Sequence, residues 1–232
     1  MRRTTTAVNK VSFLLCSALI VTSCADEADA QTDRIDPLLA SELVYLDEGE
    51  GLSIGYELDP WLSKFPQVAR MIIDSKKESL SKEICTDGST CWVFSEIKLH
   101  NQNNRLVSIV DVTNSFHGGA HGSMKSSSTT FDTKTGERLR FEDIFEPWQA
   151  ARALLQSQWC EAVSRHSLCP PIENQALALS GSDIFVQTSD YAFGSYAEGS
   201  ERAYLPITTE LIALAKPEYQ SSFSLPEDEF AY

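Results

Sequence analysis

The chain has 232 residues, 42% of them hydrophobic, which suffices for a folded domain with a core of its own. Aspartate and glutamate number 33 against 19 lysines and arginines, so the formal net charge is −14 at pH 7. A surface this acidic repels nucleic acid and anionic lipid headgroups and attracts basic partners, which argues against a DNA- or RNA-binding role.

The first 23 residues are typical of a bacterial export signal. Basic residues precede an apolar run, 11–21, that is shorter than the roughly 20 residues needed to span a bilayer. The run ends in Val21-Thr22-Ser23-Cys24, which resembles the lipobox of bacterial lipoproteins and implies cleavage before Cys24 and diacylation of its thiol. An ordinary signal peptide with an incidental cysteine is the alternative. We expect a protein held by lipid at the membrane, on the periplasmic side of the cell envelope.

The mature chain begins with a predicted tether, 24–44, and then shows the first regular patterns. Alternating apolar and polar residues predict a strand over 52–58, and an apolar stripe with helical spacing predicts an amphipathic helix over 68–84. Two strands, 91–100 and 105–116, follow on either side of a turn-rich tetrad. Without the signal peptide the chain has 16 basic and 33 acidic residues, a charge of −17.

The second half of the chain continues this mixture of strands and helices. In order, the sequence predicts a strand over 123–131, a turn over 132–136, a helix opened by Pro147, strands over 184–188 and 203–207, and a short helix to Ala215 capped by Thr208 or Thr209. We therefore expect an α+β fold, in which two main helices cover an antiparallel, hairpin-rich sheet. An N-terminal companion subdomain, 45–95, would precede an α+β subdomain, 96–215, and a C-terminal tail, 216–232.

Four cysteines remain beyond the signal and the lipidation site, and an even number in an exported chain indicates disulfides. Their short spacings favour Cys85 with Cys91 and Cys160 with Cys169 among the three possible pairings. Zinc binding is the alternative interpretation, but neither pair has the two-residue spacing of a zinc knuckle. We expect two disulfides, no metal site and no cofactor.

Two motifs and a later aromatic stretch carry a resemblance to a known family. They are Phe116-His-Gly-Gly-Ala-His-Gly122, the segment from Thr130 to Phe145 that contains Asp132 and Gly136, and the stretch from Tyr191 to Pro206. Together they resemble the extracytoplasmic domain of unknown function in lysozyme-sensing anti-sigma factors, which also occurs beside some peptidoglycan deacetylases and alone in envelope lipoproteins. An aromatic residue often precedes Gly-Gly-Ala-His-Gly in that family, where this chain has His117. The resemblance implies the fold and an extracytoplasmic location, and it implies no catalytic residue.

His117 and His121 are the first candidate site residues. The glycines around them make a helix improbable, so the two rings do not share a helical face, and no His-Glu-x-x-His zinc pattern is present. A tight turn between two strands, with His121 bonded to the backbone or lying in a surface groove, is the structural interpretation. A peptidoglycan-modifying hydrolase or deacetylase that uses this loop is the enzymatic alternative. We expect a protein that is not an enzyme.

Tyr191, Phe193, Tyr196 and Tyr204 are a second group of aromatic residues, interleaved with small residues, and the first three are the candidate contact residues. Such aromatics make either a recognition loop or the core of a hairpin, and the sequence leaves both readings open. Together with the negative charge they predict a non-catalytic binding module for a basic, lysozyme-like envelope protein or for peptidoglycan. A structural envelope lipoprotein without a specific ligand is the remaining alternative.

Overall fold

A computed structural model describes residues 43–49, 51–85, 90–103 and 105–226 of the chain. Over these residues the strands are β1 (Val44–Glu48), β2 (Leu52–Leu58), β3 (Cys91–Gln102), β4 (Leu106–Phe116), β5 (Ser123–Asp132), β6 (Arg138–Leu139), β7 (Ala176–Ser180), β8 (Asp183–Gln187) and β9 (Arg202–Pro206). The α-helices there are α1 (Pro66–Leu80), α2 (Trp148–Ala162), α3 (Thr209–Leu214) and α4 (Pro217–Gln220). The predicted α+β class is confirmed. No helix in the described part of the chain is long and apolar enough to cross a membrane.

The larger sheet has six strands in the order β1-β2-β3-β4-β5-β6. Neighbours are antiparallel except β2 and β3, which run parallel and are joined by a crossover that contains α1. The helix begins at Pro66, because a first-turn residue needs no N–H of its own, and buries Ile72 and Ile73 in a core shared with the sheet. The long β4–β5 hairpin lies towards the β6 edge of this sheet and carries the histidine motif at its tip.

A smaller antiparallel sheet, β7-β8-β9, forms a second core with α2. Trp159 of α2 is fully buried there, and its Nε1–H donates a 3.0 Å hydrogen bond to the carbonyl oxygen of Pro170. Leu155 and Ile184 are fully buried in the same core, and burial of each such side chain contributes roughly 2 kcal/mol.

Strand β5 holds the two sheets together through its even-numbered residues. The hydroxyl of Ser126 donates to the carbonyl oxygen of Gln187 over 3.0 Å, and the hydroxyl of Ser128 accepts from the N–H of Leu177 over 2.9 Å. Because side chains alternate along a strand, the odd-numbered residues of β5 face the opposite side of the sheet, where α1 lies. The two faces of this serine-rich strand therefore have different roles.

The turn after β5 is built around a buried carboxylate. Asp132 is 1% exposed, accepts a 2.9 Å hydrogen bond from the N–H of Lys134 and pairs with Arg105 at 2.7 Å. Burial raises the pKa of Asp132, but the hydrogen bonds to the carboxylate outweigh it and keep the pKa below its usual value. Gly136 completes the turn with φ 72°. The part of the second motif from Asp132 to Gly136 is therefore a structural turn.

Two disulfides close short loops in the described chain. Cys85 is bonded to Cys91 at the start of β3, and Cys160 in the last turn of α2 is bonded to Cys169. These are the pairings that the sequence spacing favours. In the chain-entropy picture, a closed loop of this size adds roughly 2–3 kcal/mol to the free energy of unfolding.

The C-terminal segment differs from the predicted tail. Residues 216–232 begin with α4, and Tyr219 and Phe223 are only 6% and 7% exposed because they pack into the core around α2. The Tyr219 hydroxyl also donates to Asp132 over 3.3 Å, which ties this segment to the turn after β5. The predicted C-terminal tail thus contains a short helix and two aromatic side chains buried in the core.

Two other predicted boundaries fall within β-strands of the structure. β1 begins at Val44, within the predicted tether, because Val44–Glu48 pairs with β2. β3 runs through the boundary predicted at 95/96, so one sheet contains strands from both predicted subdomains. Cys24 and the predicted signal peptide lie outside the described residues.

Candidate functional site

Two loops meet near the tip of the β4–β5 hairpin and carry the candidate residues. The first is the hairpin connection, 117–122, and the second is the loop between β8 and β9, 188–201. Gly118 and Gly119 have φ of 89° and 101°, which lets the hairpin connection turn sharply. Gly122 allows a close approach, because a Cβ there would lie 2.9 Å from the carbonyl oxygen of Ser115. The glycines of the first motif are thus required by the turn.

The second loop is fastened to β5 by backbone and side-chain hydrogen bonds. The N–H of Asp190 donates to the carbonyl oxygen of Met124 over 3.0 Å, and the Asp190 carboxylate accepts from the N–H of Met124. The N–H of Ser126 donates to the hydroxyl of Ser189 over 2.9 Å. These contacts occupy backbone groups of β5 and hold the loop beside the hairpin tip.

The far end of the second loop is anchored to the segment that follows α2. The N–H of Thr188 donates to the carbonyl oxygen of Glu201 over 3.0 Å, and the Glu201 carboxylate pairs with Arg165 and His166. The hydrogen bond from Arg165, supported by that from His166, lowers the pKa of Glu201 although burial opposes the shift. Both ends of the loop are therefore fixed.

Three rings from the two loops form an exposed group, which we call the aromatic cluster: His121, Tyr191 and Tyr196. The rings of His121 and Tyr196 are stacked with centroids 3.9 Å apart and an interplanar angle of 16°. Tyr191 lies tilted against Tyr196 at 5.8 Å, and its hydroxyl is 3.2 Å from Nε2 of His121. Tyr191 and Tyr196 remain 49% and 41% exposed. The cluster is thus an ordered aromatic surface open to solvent.

Hydrogen bonds fix the tautomer of His121 and occupy both of its ring nitrogens. Nδ1 lies 2.8 Å from the carbonyl oxygen of Gly122, which only accepts, so Nδ1 carries the proton and donates. Nε2 then accepts from the Tyr191 hydroxyl. A general base or metal ligand needs a free nitrogen lone pair, and in this arrangement His121 offers none.

Tyr191 has an unusual backbone conformation. Its φ is 63°, and among the described residues it is the one non-glycine residue with a positive φ. Such a conformation costs free energy for a residue with a side chain and is enriched at functional sites. The backbone strain at Tyr191 therefore coincides with the ring that bonds His121.

His117 lies in the first loop but does not join the aromatic cluster. Its Nε2 is 3.1 Å from a carboxylate oxygen of Glu83, just beyond α1, and its side chain is 45% exposed. The two histidines of the motif thus bond different partners. In the described residues, no three histidine, cysteine, aspartate or glutamate side chains lie close enough together to hold a metal ion.

Phe193 is not part of the exposed surface, contrary to its prediction as a contact residue. It is 3% exposed, stacks on His166 with centroids 3.9 Å apart and lies 6.2 Å from Trp159. Its ring anchors the second loop in the core around α2. Phe193 therefore supports the site and is not available for contact with a partner.

Comparisons with known proteins give a structural likeness only. No protein-family model matches the chain, and no curated protein matches it. Two similar solved structures are DUF3298 family proteins. The one from Pseudomonas aeruginosa PAO1 is 17% identical, with 75% of this chain and 91% of that chain covered and a TM-score of 0.48. The one from Bacteroides fragilis NCTC 9343 is 19% identical, with coverage of 73% and 87% and a TM-score of 0.44.

Sequence reasoning missed one aromatic residue near the first loop, Trp92 of β3. Its side chain is 41% exposed, and a Cβ at Gly122 would lie 4.0 Å from its Cζ2. The alternation of β3 gave a signal, because Trp92 follows buried Cys91 and therefore points to the face of the sheet opposite to α1. Trp92 adds a fourth partly exposed ring near the hairpin tip.

Proposed function

We propose that the chain is a non-catalytic binding module of the bacterial cell envelope, held at the membrane by lipid on Cys24. Its partner would be a basic envelope protein of the lysozyme type, and the aromatic cluster would form the centre of the contact. The observation that carries this proposal is the exposed group of three mutually packed rings on two anchored loops. The motif-level resemblance to lysozyme-sensing modules points the same way.

The geometry suits recognition because the rings pack against one another without a partner. Tyrosine supplies a large contact area with few rotatable bonds, and ordering before binding lowers the entropic cost of association. Residues of this type are enriched among those that contribute most to protein interfaces. The aromatic cluster would therefore provide affinity without rearrangement.

The charge of the chain favours a basic partner. The mature chain would carry −17, and long-range attraction between opposite charges raises association rates at low salt. Charge would thus speed the encounter, while the rings would hold the complex.

Peptidoglycan is the alternative ligand, since exposed tyrosine faces also stack on sugar rings. The enzymatic alternative, a hydrolase or deacetylase using His117 and His121, is less well supported by the geometry, because the hydrogen bonds of His121 occupy both its nitrogens. Bound stoichiometric zinc, together with turnover of peptidoglycan fragments that is abolished by His121→Ala, would establish the enzyme instead. A structural lipoprotein without a ligand would bind neither lysozyme nor glycans.

The test is a calorimetric titration of the purified protein with hen lysozyme at low salt. We expect saturable binding that Tyr196→Ala weakens at least tenfold, the loss typical of a central aromatic contact. Tyr204→Ala is the matched control, because Tyr204 is 59% exposed on β9 and lies outside the aromatic cluster. An equal effect of the two substitutions, or no binding at low salt, would exclude the lysozyme version of the proposal.

A further inference from the structure

A polar groove lies between α1 and the neighbouring strands β4 and β5, and it contains no residue of the aromatic cluster. Its volume is about 210 Å³. Its walls include Ser75 and Ser79 of α1, Ser127 and Thr129 of β5, and Arg138 of β6. Met71, Ile72 and Phe131 give part of the lining an apolar character.

The groove exists because small polar residues face each other where the core ends. Met71, Ser75 and Ser79 are spaced four apart, so they form one stripe on the exposed side of α1 beside the buried Ile72. Ser127 and Thr129 stand on the face of β5 directed towards this helix. The side chains of the two rows are too short to fill the space between the helix and the strand.

The hydroxyl groups of the groove are not consumed by the fold. On β5, the even-numbered serines bond the second sheet, whereas the side chain of Ser127 makes no hydrogen bond with any described residue. The same holds for the side chains of Ser75 and Ser79 within the described ranges. Thr129 accepts a 3.1 Å hydrogen bond from Nη2 of Arg138 and keeps its own hydroxyl proton free to donate.

Two cationic side chains line the groove, Lys76 and Arg138, and they differ in their partners. Lys76 is neutralised by an ion pair with Asp111, and each side chain is 16% exposed. The Lys76 ammonium also donates to the hydroxyl of Ser95 over 3.0 Å, so it is held in place. Arg138 makes no ion pair with a described residue, although the chain has a large excess of carboxylates. Its remaining guanidinium N–H groups match the geometry of a carboxylate.

We infer that this groove binds a single sugar ring that carries a carboxylate, a uronic acid. Its hydroxyls would exchange hydrogen bonds with Ser75, Ser79 and Ser127, and its carboxylate would lie against Arg138. The C–H face of the ring would pack on Met71. The volume is below the roughly 300–1,000 Å³ of pockets for drug-sized ligands, so it suits one ring rather than a longer chain.

The test is a titration of the isotope-labelled protein with sodium D-glucuronate, followed by NMR chemical shifts. We expect saturable shifts within 71–79 and 127–138, with D-glucose and sodium acetate each binding at least tenfold more weakly. Arg138→Gln should reduce glucuronate affinity about tenfold, by loss of a charge-assisted contact. Lys134→Gln is the control, because it removes an exposed cation from the neighbouring turn.

A second variant tests the position of the ligand independently of charge. Ser127 is exposed on the sheet, so Ser127→Trp should leave the fold intact, fill the groove and abolish binding. Absence of saturable shifts, acetate binding as tightly as glucuronate, or unchanged affinity in Arg138→Gln or Ser127→Trp would overturn the inference. Because the lysozyme titration measures other residues, either proposal can fail alone.

Discussion

Replacing Tyr191 by glycine and by alanine separates the effect of its backbone conformation from that of its ring. Both substitutions remove the ring, together with the hydrogen bond to His121 and the contact with Tyr196. Only glycine also relieves the positive φ of 63°. The difference in stability between the two variants therefore reports the backbone strain less the greater conformational freedom of glycine in the unfolded chain.

The structure sets the expected size of this difference. A side chain in the left-handed region costs roughly 1–2 kcal/mol, and the greater freedom of glycine in the unfolded chain offsets about 0.5–1 kcal/mol of that. We therefore expect Tyr191→Gly to be about 1 kcal/mol more stable than Tyr191→Ala. At a helix or strand position with negative φ the order is reversed, with glycine less stable by roughly 0.5–1 kcal/mol.

Urea unfolding at pH 7, followed by tryptophan fluorescence, measures both free energies of unfolding. A glycine variant less stable than the alanine variant, which is the order expected at a negative φ, would refute the assigned strain at position 191. Lysozyme titrations of the same two proteins add a second readout. Both variants lack the tyrosine ring, so their affinities should fall by the same factor despite the difference in stability.

Three further predictions concern acid stability, cross-links and lipid. Burial, followed by the nearby cations, lowers the pKa of His100 from 6.5 to about 4, so the unfolded chain takes up a proton first and stability is lost as the pH falls from about 6.5 towards 4. Because the ring is partly exposed, wild type should lose roughly 1–2 kcal/mol more than His100→Phe between pH 7 and 4.5 in urea titrations, and equal losses would contradict this. Mass spectrometry of an unreduced digest should recover both short-loop disulfides, whereas free thiols or crossed links would rule out the pairing. Radioactive fatty acid should label wild type in cells and not Cys24→Ser; label in the variant would refute the lipid anchor.

Sequence periodicity predicted those strands and helices that follow from the pattern of their own residues. The alternation over 52–58 coincides with β2, and Thr208 caps α3 by accepting from the N–H of Leu211 over 3.2 Å. The predicted end of the first helix was too late, since α1 ends at Leu80 and Ile84 is 76% exposed. An apolar residue at helical spacing therefore predicts a longer helix only where its side chain can be buried in the core.

Non-local pairing could not be predicted from these patterns. A period of two residues indicates a strand but not its neighbour, so the parallel pairing of β2 with β3 had no sequence signal. β7 was missed because Ala176–Ser180 combines small residues with two leucines and has almost no polar alternation. All five of its residues are buried or half-buried, and such short apolar runs do not distinguish a strand from a helix.

The candidate site was predicted in its residue types but not in its geometry. The hydrogen bond between His121 and Tyr191 joins residues 70 positions apart, and no local pattern places them together. Within the second loop, Tyr191 and Tyr196 point outward while Phe193 points into the core. The loop has no regular period, so sequence alone could not separate the contact residues from the anchor.

Hydrogen exchange of the amide groups, measured with and without hen lysozyme at low salt, tests most directly whether the aromatic cluster is a binding surface. We expect slower exchange at 117–122 and 188–201 in the complex, and loss of this protection when salt is raised. Protection confined to other segments, or exchange unchanged by saturating lysozyme, would contradict it.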